Sequence, residues 1–210
     1  LASNGLPTFR DQNGDVTMSG IRFDNRNVDF LKYSGTLIPT DRGSFSNTIN
    51  YKGISFGVVF TYSYGNVVRL RHLNNVYNDY ANAPRELNNR WLIPGDENKT
   101  NIPRLYTTYM YEKTYSWDQI RRTYLTYDYS DVRIAKGDNI RLKEISIGYT
   151  FDKDFLRDTR IRLLSMKLQA TNVALLYADK KLNGDDPDYL ANGYTPISPK
   201  RIIFTLRVGL

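Results

Sequence analysis

The alternating pattern of residues 42–65, RGSFSNTINYKGISFGVVFTYSYG, strongly constrains the fold of this chain. Apolar residues recur at alternate positions on both sides of Lys52-Gly53, a pair that suits a two-residue β-turn. A turn at this pair sets residues of the two strands opposite each other as follows: Tyr51 with Ile54, Ile49 with Phe56, and Phe45 with Phe60. The turn and the alternation therefore predict the same antiparallel register, with the apolar residues on one face.

Three later segments repeat the pattern: IRLKEISIGYTF (140–151), RLLSMKLQATN (162–172) and RIIFTLRVGL (201–210). One face of each is aliphatic or aromatic, and the other is small or polar. The polar faces include long side chains, namely Lys167, Gln169, Arg201 and Arg207. A sandwich core could not bury these side chains, whereas a water-filled lumen could hold them, so we predict that they face a lumen. A strand needs roughly 9–11 residues to cross a bilayer at a tilt, which matches these segments.

The connections between the predicted strands alternate between short and long. Short turns are expected at 52–53 and 152–160, and long segments at 65–138 and 176–198, a pattern typical of outer-membrane barrels. Within the first long segment we expect a short helix in 67–91 and an extended ribbon in 106–131. No run of about 18 apolar residues occurs, which excludes a transmembrane helix.

Composition narrows the function classes. Tyrosine is abundant, with 17 Tyr against 9 Phe and 2 Trp, and it suits membrane girdles, sugar-binding surfaces and β-sandwiches. The net charge of +7 is spread along the chain, so nucleic-acid binding is not expected. The absence of cysteine excludes disulfides and cysteine metal sites. These features leave a membrane barrel, a soluble carbohydrate-binding β-sandwich and a small self-closing passive barrel as alternatives.

Local phrases point to a known family. They are GTLIPTDRGSFSNTINYKGISFGVVFTYSYGN (35–66), NNRWLIPGDENKTNIPRL (88–105), DNIRLKEISIGYTF (138–151), the stretch LQATNVALL from residue 168, and PKRIIFTLRVGL (199–210). In order and spacing they resemble the C-terminal part of SusC/RagA-type TonB-dependent outer-membrane transporters of Bacteroidota. The resemblance covers most of the chain from residue 35 onward.

The resemblance implies a barrel of roughly 22 strands that is plugged by an N-terminal domain. It also implies a SusD-like capping lipoprotein, a TonB complex that powers uptake, and import of oligosaccharides or peptides across the cell outer membrane. This chain has no plug and too few strands to close such a barrel. We therefore expect an all-β fold, an antiparallel transmembrane β-barrel segment that forms the last strands of a larger polypeptide.

Residues 1–210 are thus expected to be the C-terminal part of one barrel domain embedded in outer-membrane lipid. We expect the terminal strand to run toward the periplasm, which places the short turns there as well. The predicted segments are an extracellular stretch (1–41), a hairpin (42–64), a long extracellular loop (65–138), a second hairpin (139–175), a further loop (176–198) and the terminal strand (199–210).

Candidate binding residues lie in the long segments. Tyr109, Tyr111, Tyr115 and Trp117 could stack on sugar rings or peptide groups, or they could form an aromatic belt. Aromatic rings suit either role because they are apolar and carry a polar tip.

Two acidic stretches are cation candidates. Asp11, Asn13 and Asp15 alternate as in a calcium loop, but Arg22 stands where an EF-hand needs glutamate, so we favour a solvated turn over a calcium site. A second stretch contains Asp185, Asp186 and Asp188, and here we favour an acidic turn broken by proline over a cation site. The single histidine, His72, and the scattered carboxylates form no catalytic pattern. We expect no enzyme activity and no cofactor, and a calcium ion is the alternative to the absence of a cofactor.

Overall fold

The computed structural model describes residues 1–11, 13–18, 30–73, 84–105, 115–191 and 199–210. The chain divides into two compact units. We call residues 36–68 and 136–210 the sheet unit, and residues 1–35 and 69–135 the helical unit. Among the described residues, no helix is long and apolar enough to cross a membrane.

The described residues are mostly β-structure with a few helices. The strands are β1 (Phe9–Arg10), β2 (Val16–Thr17), β3 (Asp41–Tyr51), β4 (Ile54–Tyr64), β5 (Val67–Arg69), β6 (Ile134–Lys136), β7 (Asn139–Thr150), β8 (Leu163–Ala178) and β9 (Arg201–Gly209). The α-helices are α1 (Trp117–Tyr129), α2 (Lys153–Leu156) and α3 (Pro187–Ala191). Short 3₁₀ helices span Arg85–Asn89, Asp96–Asn98, Asp131–Arg133 and Lys180–Leu182.

The sheet unit is built on a five-stranded antiparallel sheet in the order β3-β4-β7-β8-β9. The predicted register of the first hairpin is confirmed, since Tyr51 pairs with Ile54, and the pairs of Ile49 and Phe45 follow as expected. The turn has Lys52 at φ 45° and Gly53 at φ 81°. Both angles are positive, as a type I′ turn requires. A Cβ at residue 53 would lie 2.6 Å from the Thr150 carbonyl oxygen, so this position requires glycine.

Strand β8 is longer than predicted. The alternating segment identified in the sequence ended at Asn172, and the predicted hairpin ended at residue 175, yet the strand continues to Ala178. Asn172 adopts a left-handed φ of 52° within a β-bulge opposite Lys143, and its Oδ1 accepts a 2.6 Å hydrogen bond from Lys143 Nζ. The bulge absorbs the irregular residue, and the strand therefore resumes its alternation beyond it.

The helical unit corrects one prediction. Residues 106–131 were expected to form an extended ribbon, but 117–129 form helix α1, while 106–114 lie outside the described residues. Ser116 begins the helix with a capping box, in which Gln119 N donates to Ser116 Oγ over 3.2 Å and Ser116 N donates to Gln119 Oε1 over 3.0 Å. Ile120, Tyr124 and Tyr127 then recur at helical spacing and are buried. Tyrosine is favoured in strands, and the many tyrosines of this segment obscured that helical spacing.

The short helix expected in 67–91 corresponds in part to the 3₁₀ helix Arg85–Asn89. Residues 74–83 of that stretch lie outside the described residues. Among the described residues of the helical unit, Leu6, Ile120 and Tyr124 form one buried cluster, and Leu73, Leu87 and Tyr127 form another.

A buried ion pair stabilises the second cluster. Arg133 Nη1 and Nη2 donate to the two carboxylate oxygens of Glu86 over 2.6 and 2.7 Å, and the side chains are only 2% and 7% exposed. Burial disfavours the charged guanidinium, but the bond to Glu86 prevails and raises the pKa of Arg133. Burial raises the pKa of Tyr127 to about 12, and its ring lies 5.3 Å from the Arg133 guanidinium.

We predict that Glu86→Gln destabilises the helical unit by about 3–5 kcal/mol, because it leaves the Arg133 charge buried without its partner. The double variant Glu86→Leu/Arg133→Met should recover much of this loss. Hydrogen–deuterium exchange of peptides covering 84–90 and 127–135 is the measurement. Asp131→Asn serves as the control, because it disrupts the exposed pair with Lys32, and loss of such a pair should cost no more than about 1 kcal/mol. Equal effects of the two single variants would contradict the prediction.

Candidate membrane-facing surface and polar face of the sheet

One apolar row crosses the whole five-stranded sheet. The pairings join Ile49, Phe56, Ile147, Leu168 and Phe204 side by side from β3 to β9. We call these five residues the apolar row. Each of them is between 43% and 63% exposed. Large contiguous apolar surfaces mark contacts with a partner or a membrane. No described residue covers this face, so it needs an apolar surrounding from outside the described part of the chain.

The opposite face of the sheet is polar. Successive rows on it run through Ser46, Val59, Glu144, Thr171 and Arg201, then Thr48, Gly57, Ser146, Gln169 and Ile203, then Asn50, Ser55, Gly148, Lys167 and Thr205, and they end with Thr150, Ser165 and Arg207. The four residues that the sequence predicts to face a lumen therefore share one face. That this face lines a lumen stays a prediction.

Two glycines on the polar face lie close to serine side chains of neighbouring strands. A Cβ at Gly57 would lie 2.8 Å from Ser146 Oγ, and one at Gly148 would lie 2.6 Å from Ser55 Oγ. These close approaches explain why glycine interrupts the Ser and Thr pattern at both positions. The charged groups on this face include Glu144 and Lys167, whose Oε1 and Nζ lie 3.8 Å apart. Such a partly exposed pair contributes little to folding stability. Both charged groups can therefore also interact with a molecule that contacts the polar face.

Aromatic side chains lie at both ends of the apolar face. At the end with the short turns, the Tyr149 ring contacts Phe151 edge-on at 4.8 Å between centroids. At the other end, Tyr62 and Tyr177 flank Ile140 in one row, and both tyrosines are partly exposed. Mostly aliphatic and phenylalanine side chains occupy the rows between these ends. This order, with tyrosine at both ends and largely apolar side chains between them, is typical of strands that cross a bilayer.

An ion-pair cluster holds the segment 179–191 in the sheet unit. Arg141, on the polar face opposite Thr61, donates from Nη1 to Asp186 Oδ2 over 2.7 Å and from Nη2 to Asp186 Oδ1. Its Nη2 also lies 2.9 Å from Asp188 Oδ2. Burial alone would raise the pKa of Asp186, but the hydrogen bonds from Arg141 and the amide of Asp188 outweigh burial and hold it below the ordinary value. The two carboxylates are thus engaged by a cation of the chain itself.

Sequence reasoning missed this cluster. Arg141 and Asp186 are 45 positions apart, and nothing local in either stretch indicates the other. The sequence does show an arginine directly after Ile140, near the end of a predicted strand. This pattern places Arg141 on the polar face of the strand, but it does not identify Asp186 as its partner.

The predicted stacking residues receive different environments. Tyr115 packs against the Leu6–Ile120–Tyr124 cluster, and its hydroxyl accepts a 3.3 Å hydrogen bond from Asn4 Nδ2. Trp117, the first residue of α1, is about half exposed. Tyr109 and Tyr111 lie outside the described residues. The substrate-stacking role of the four residues stays a prediction.

The calcium candidates lie in the turn between β1 and β2. Asp11 Oδ1 accepts hydrogen bonds from Asn13 N at 2.8 Å and Asp15 N at 3.0 Å, the geometry of an Asx-turn. Across the described ranges, no group of three or more His, Asp or Glu residues is placed to hold a metal ion. A calcium ion at this turn stays a prediction. His72 Nδ1 lies 3.5 Å from Asp128 Oδ2, and both residues belong to the helical unit.

Comparison with known proteins gives one curated relative. TonB-dependent receptor P39 from Formosa agariphila is 27% identical to the chain over 170 residues, which is 79% of this chain and 14% of the relative. The chain therefore spans about one seventh of that relative's length. No protein-family profile matches the chain.

Solved structures share the fold. The RagAB peptide importer in its "open-open" state matches with a TM-score of 0.53 and 18% identity, over 87% of this chain and 18% of the solved chain. The RagAB peptide transporter matches with a TM-score of 0.53 and 17% identity, over 90% and 19% of the two chains. The "closed-closed" state of the importer gives a TM-score of 0.51 at 18% identity, over 87% of this chain and 18% of the solved one. At these identities the likeness concerns the fold.

We predict that acid releases the segment 179–191. Because the folded pKa of Asp186 is held below its ordinary value of 3.8, its stabilisation is present above that value and is lost as the pH falls through the folded pKa. Amide exchange of residues 186–191, corrected for intrinsic rates, should therefore rise below pH 3.8. Asp186→Asn should show the fast exchange already at pH 7, and it should remove the pH dependence. An unchanged exchange rate in this variant would contradict the prediction.

Proposed function

Because the chain corresponds to part of a SusC/RagA-type TonB-dependent transporter, we propose that it forms part of the barrel wall of an outer-membrane nutrient importer. Its strands lie in the outer membrane with the apolar row toward lipid and the polar face toward a water-filled interior. The protein works by binding and gated passage of a solute. It carries out no covalent chemistry.

The exposed apolar row is the observation that supports this proposal. A soluble β-sandwich would cover such a row with a second sheet, whereas these five side chains are exposed on every strand of the sheet. Lipid tails provide the apolar environment that the row requires. The aromatic side chains at both ends of the face then lie near the headgroups, where amphipathic rings are favoured.

The polar face supplies the interior surface in this proposal. The three basic residues Lys167, Arg201 and Arg207 outnumber the acidic residue Glu144 on this face. The polar face therefore carries net positive charge and attracts acidic groups. Those groups belong either to the solute or to a domain that plugs the interior. The small Ser, Thr and Gly side chains between the charges leave the surface smooth enough for a solute to pass.

The substrate and partners follow from the resemblance. RagAB is described as a peptide importer, and we propose peptides or oligosaccharides as the substrate class of this protein. We further propose a SusD-like surface lipoprotein as its cap and a TonB complex as its source of energy. The short turns at 52–53 and 151–162 face the periplasm in this arrangement, and the segments 1–41, 65–138 and 176–198 face outward.

The proposed membrane orientation predicts unequal costs for the same substitution at two neighbouring residues. Leu168→Arg places a charge on the apolar row near mid-membrane, which should cost about 2–4 kcal/mol of folding free energy in a bilayer. Gln169→Arg, on the polar face, should cost little. Leu168→Ala measures the part due to lost packing. The measurement is unfolding of the full-length gene product in lipid vesicles, and equal costs for the two arginine variants would contradict the orientation.

Solute uptake tests the function directly. Cells that lack the gene should lose energy-dependent uptake of labelled peptides or oligosaccharides, and complementation with the intact gene should restore it. Collapse of the proton gradient should abolish the restored uptake, because a TonB complex is proposed to power it. Undiminished uptake of both solute classes in the deletion strain would contradict an importer.

A further inference from the structure

An exposed phenylalanine continues the apolar face beyond the end of the strands. Phe155, in helix α2, is 68% exposed. Its ring stacks on Phe151 with 5.1 Å between centroids and 30° between planes, and Phe151 in turn contacts Tyr149. Tyr149 lies on the same face as the apolar row, two positions along β7 from Ile147. The aromatic column Tyr149–Phe151–Phe155 therefore extends this face into the turn between β7 and β8.

The exposure of Phe155 is built into the turn. The neighbouring Leu156 is 5% exposed, and its carbonyl oxygen accepts hydrogen bonds from Thr159 N at 2.9 Å and Thr159 Oγ1 at 2.8 Å. The amide of Arg162 donates to the Gly209 carbonyl oxygen over 2.7 Å, which joins the end of the turn to β9. With Leu156 held inward and the backbone closed on itself, Phe155 is directed outward.

Cations flank this phenylalanine in the sequence. Lys153, Arg157 and Arg160 are exposed, and none of them forms a side-chain ion pair with any residue that the structure describes. In the adjacent turn, Lys52 Nζ lies 5.4 Å from the centroid of the Tyr51 ring. The turn also carries exposed carboxylates, at Asp152, Asp154 and Asp158. Lys and Arg side chains are longer than Asp side chains, so the cations of the turn can extend farther from the backbone than its carboxylates.

We propose that the turn 151–162 is an interfacial anchor that binds anionic phospholipid. Phe155 inserts at the boundary between acyl chains and headgroups, and Arg157 and Arg160 contact the headgroup phosphates, with Lys52 close by. An exposed aromatic ring beside cations is the arrangement by which interfacial segments bind anionic membranes. The inference rests on the proposed function, because it takes the apolar row as the lipid-facing surface.

Spin labels can locate Phe155 relative to the membrane. The chain has no cysteine, so single cysteines at positions 155, 168 and 154 can be labelled in the full-length gene product, after any cysteine elsewhere is changed to serine. In vesicles of phosphatidylethanolamine and phosphatidylglycerol, a label at 168 should be accessible to oxygen and shielded from a water-soluble nickel complex. The label at 155 should show an intermediate, interfacial depth, and the label at 154 should be accessible to nickel.

The outcomes separate this inference from the proposed function. A label at 155 as accessible to nickel as one at 154, with 168 still shielded, overturns the anchor and leaves the membrane orientation intact. Nickel access at both 155 and 168 overturns the proposed function itself.

The headgroup preference has its own test. We expect Arg157→Gln/Arg160→Gln to lower the ratio of phosphatidylglycerol to phosphatidylethanolamine that remains bound after purification in mild detergent, by roughly fivefold for each cation removed. Lys99→Gln is the control, because Lys99 is a cation in the helical unit that pairs with Asp96 over 3.2 Å. An unchanged ratio in the double variant, or an equal fall in the control, overturns phosphate binding by the turn.

Discussion

Backbone pairing between β3 and β4 is the interaction on which the rest of the sheet unit depends. Side chains alternate across a strand, so a shift by one residue would move every apolar side chain of β3 to the polar face. The turn at Lys52-Gly53 removes that freedom, because its two positive φ angles set Tyr51 opposite Ile54. Once this register holds, β7, β8 and β9 extend it, and each strand adds one member to the apolar row.

Bulges shift the pairing at a few positions, and the apolar residues return to one face beyond each of them. The β7–β8 pairing shifts at Leu142/Glu144, where Asn172 leaves the regular ladder, and β4–β7 shifts at Val59/Phe60. After each shift, apolar residues again face apolar residues, as at Phe60 and Leu142. Bulges also strengthen twist and bend a sheet. Curvature of this kind is what a strand set needs if it is to contribute to a barrel wall.

Features that depend on interactions between residues close in sequence could be predicted, whereas contacts between residues distant in sequence could not. The β3–β4 register was predictable because the turn and the alternation are local and agree. Helix α1 was mistaken for a ribbon because its tyrosines gave a strong strand signal, although the capping sequence Ser116 to Gln119 was a local sign of a helix start. The contacts of Arg141 with Asp186 and of Arg133 with Glu86 join residues 45 and 47 positions apart. No local pattern specifies such pairs, because they depend on how distant segments pack.

The two edge strands of the sheet place a further requirement on its surroundings. In the strand order of the described residues, β3 and β9 each pair on one side only. In water their outer backbone groups could bind solvent, but in hydrocarbon each unpaired amide or carbonyl costs several kcal/mol. A sheet with the apolar row in lipid therefore requires β-strands along both edges, in addition to the five described. In the proposed membrane orientation, the side chains of these five strands need lipid and their backbone needs further strands, and a closed barrel would meet both needs at once.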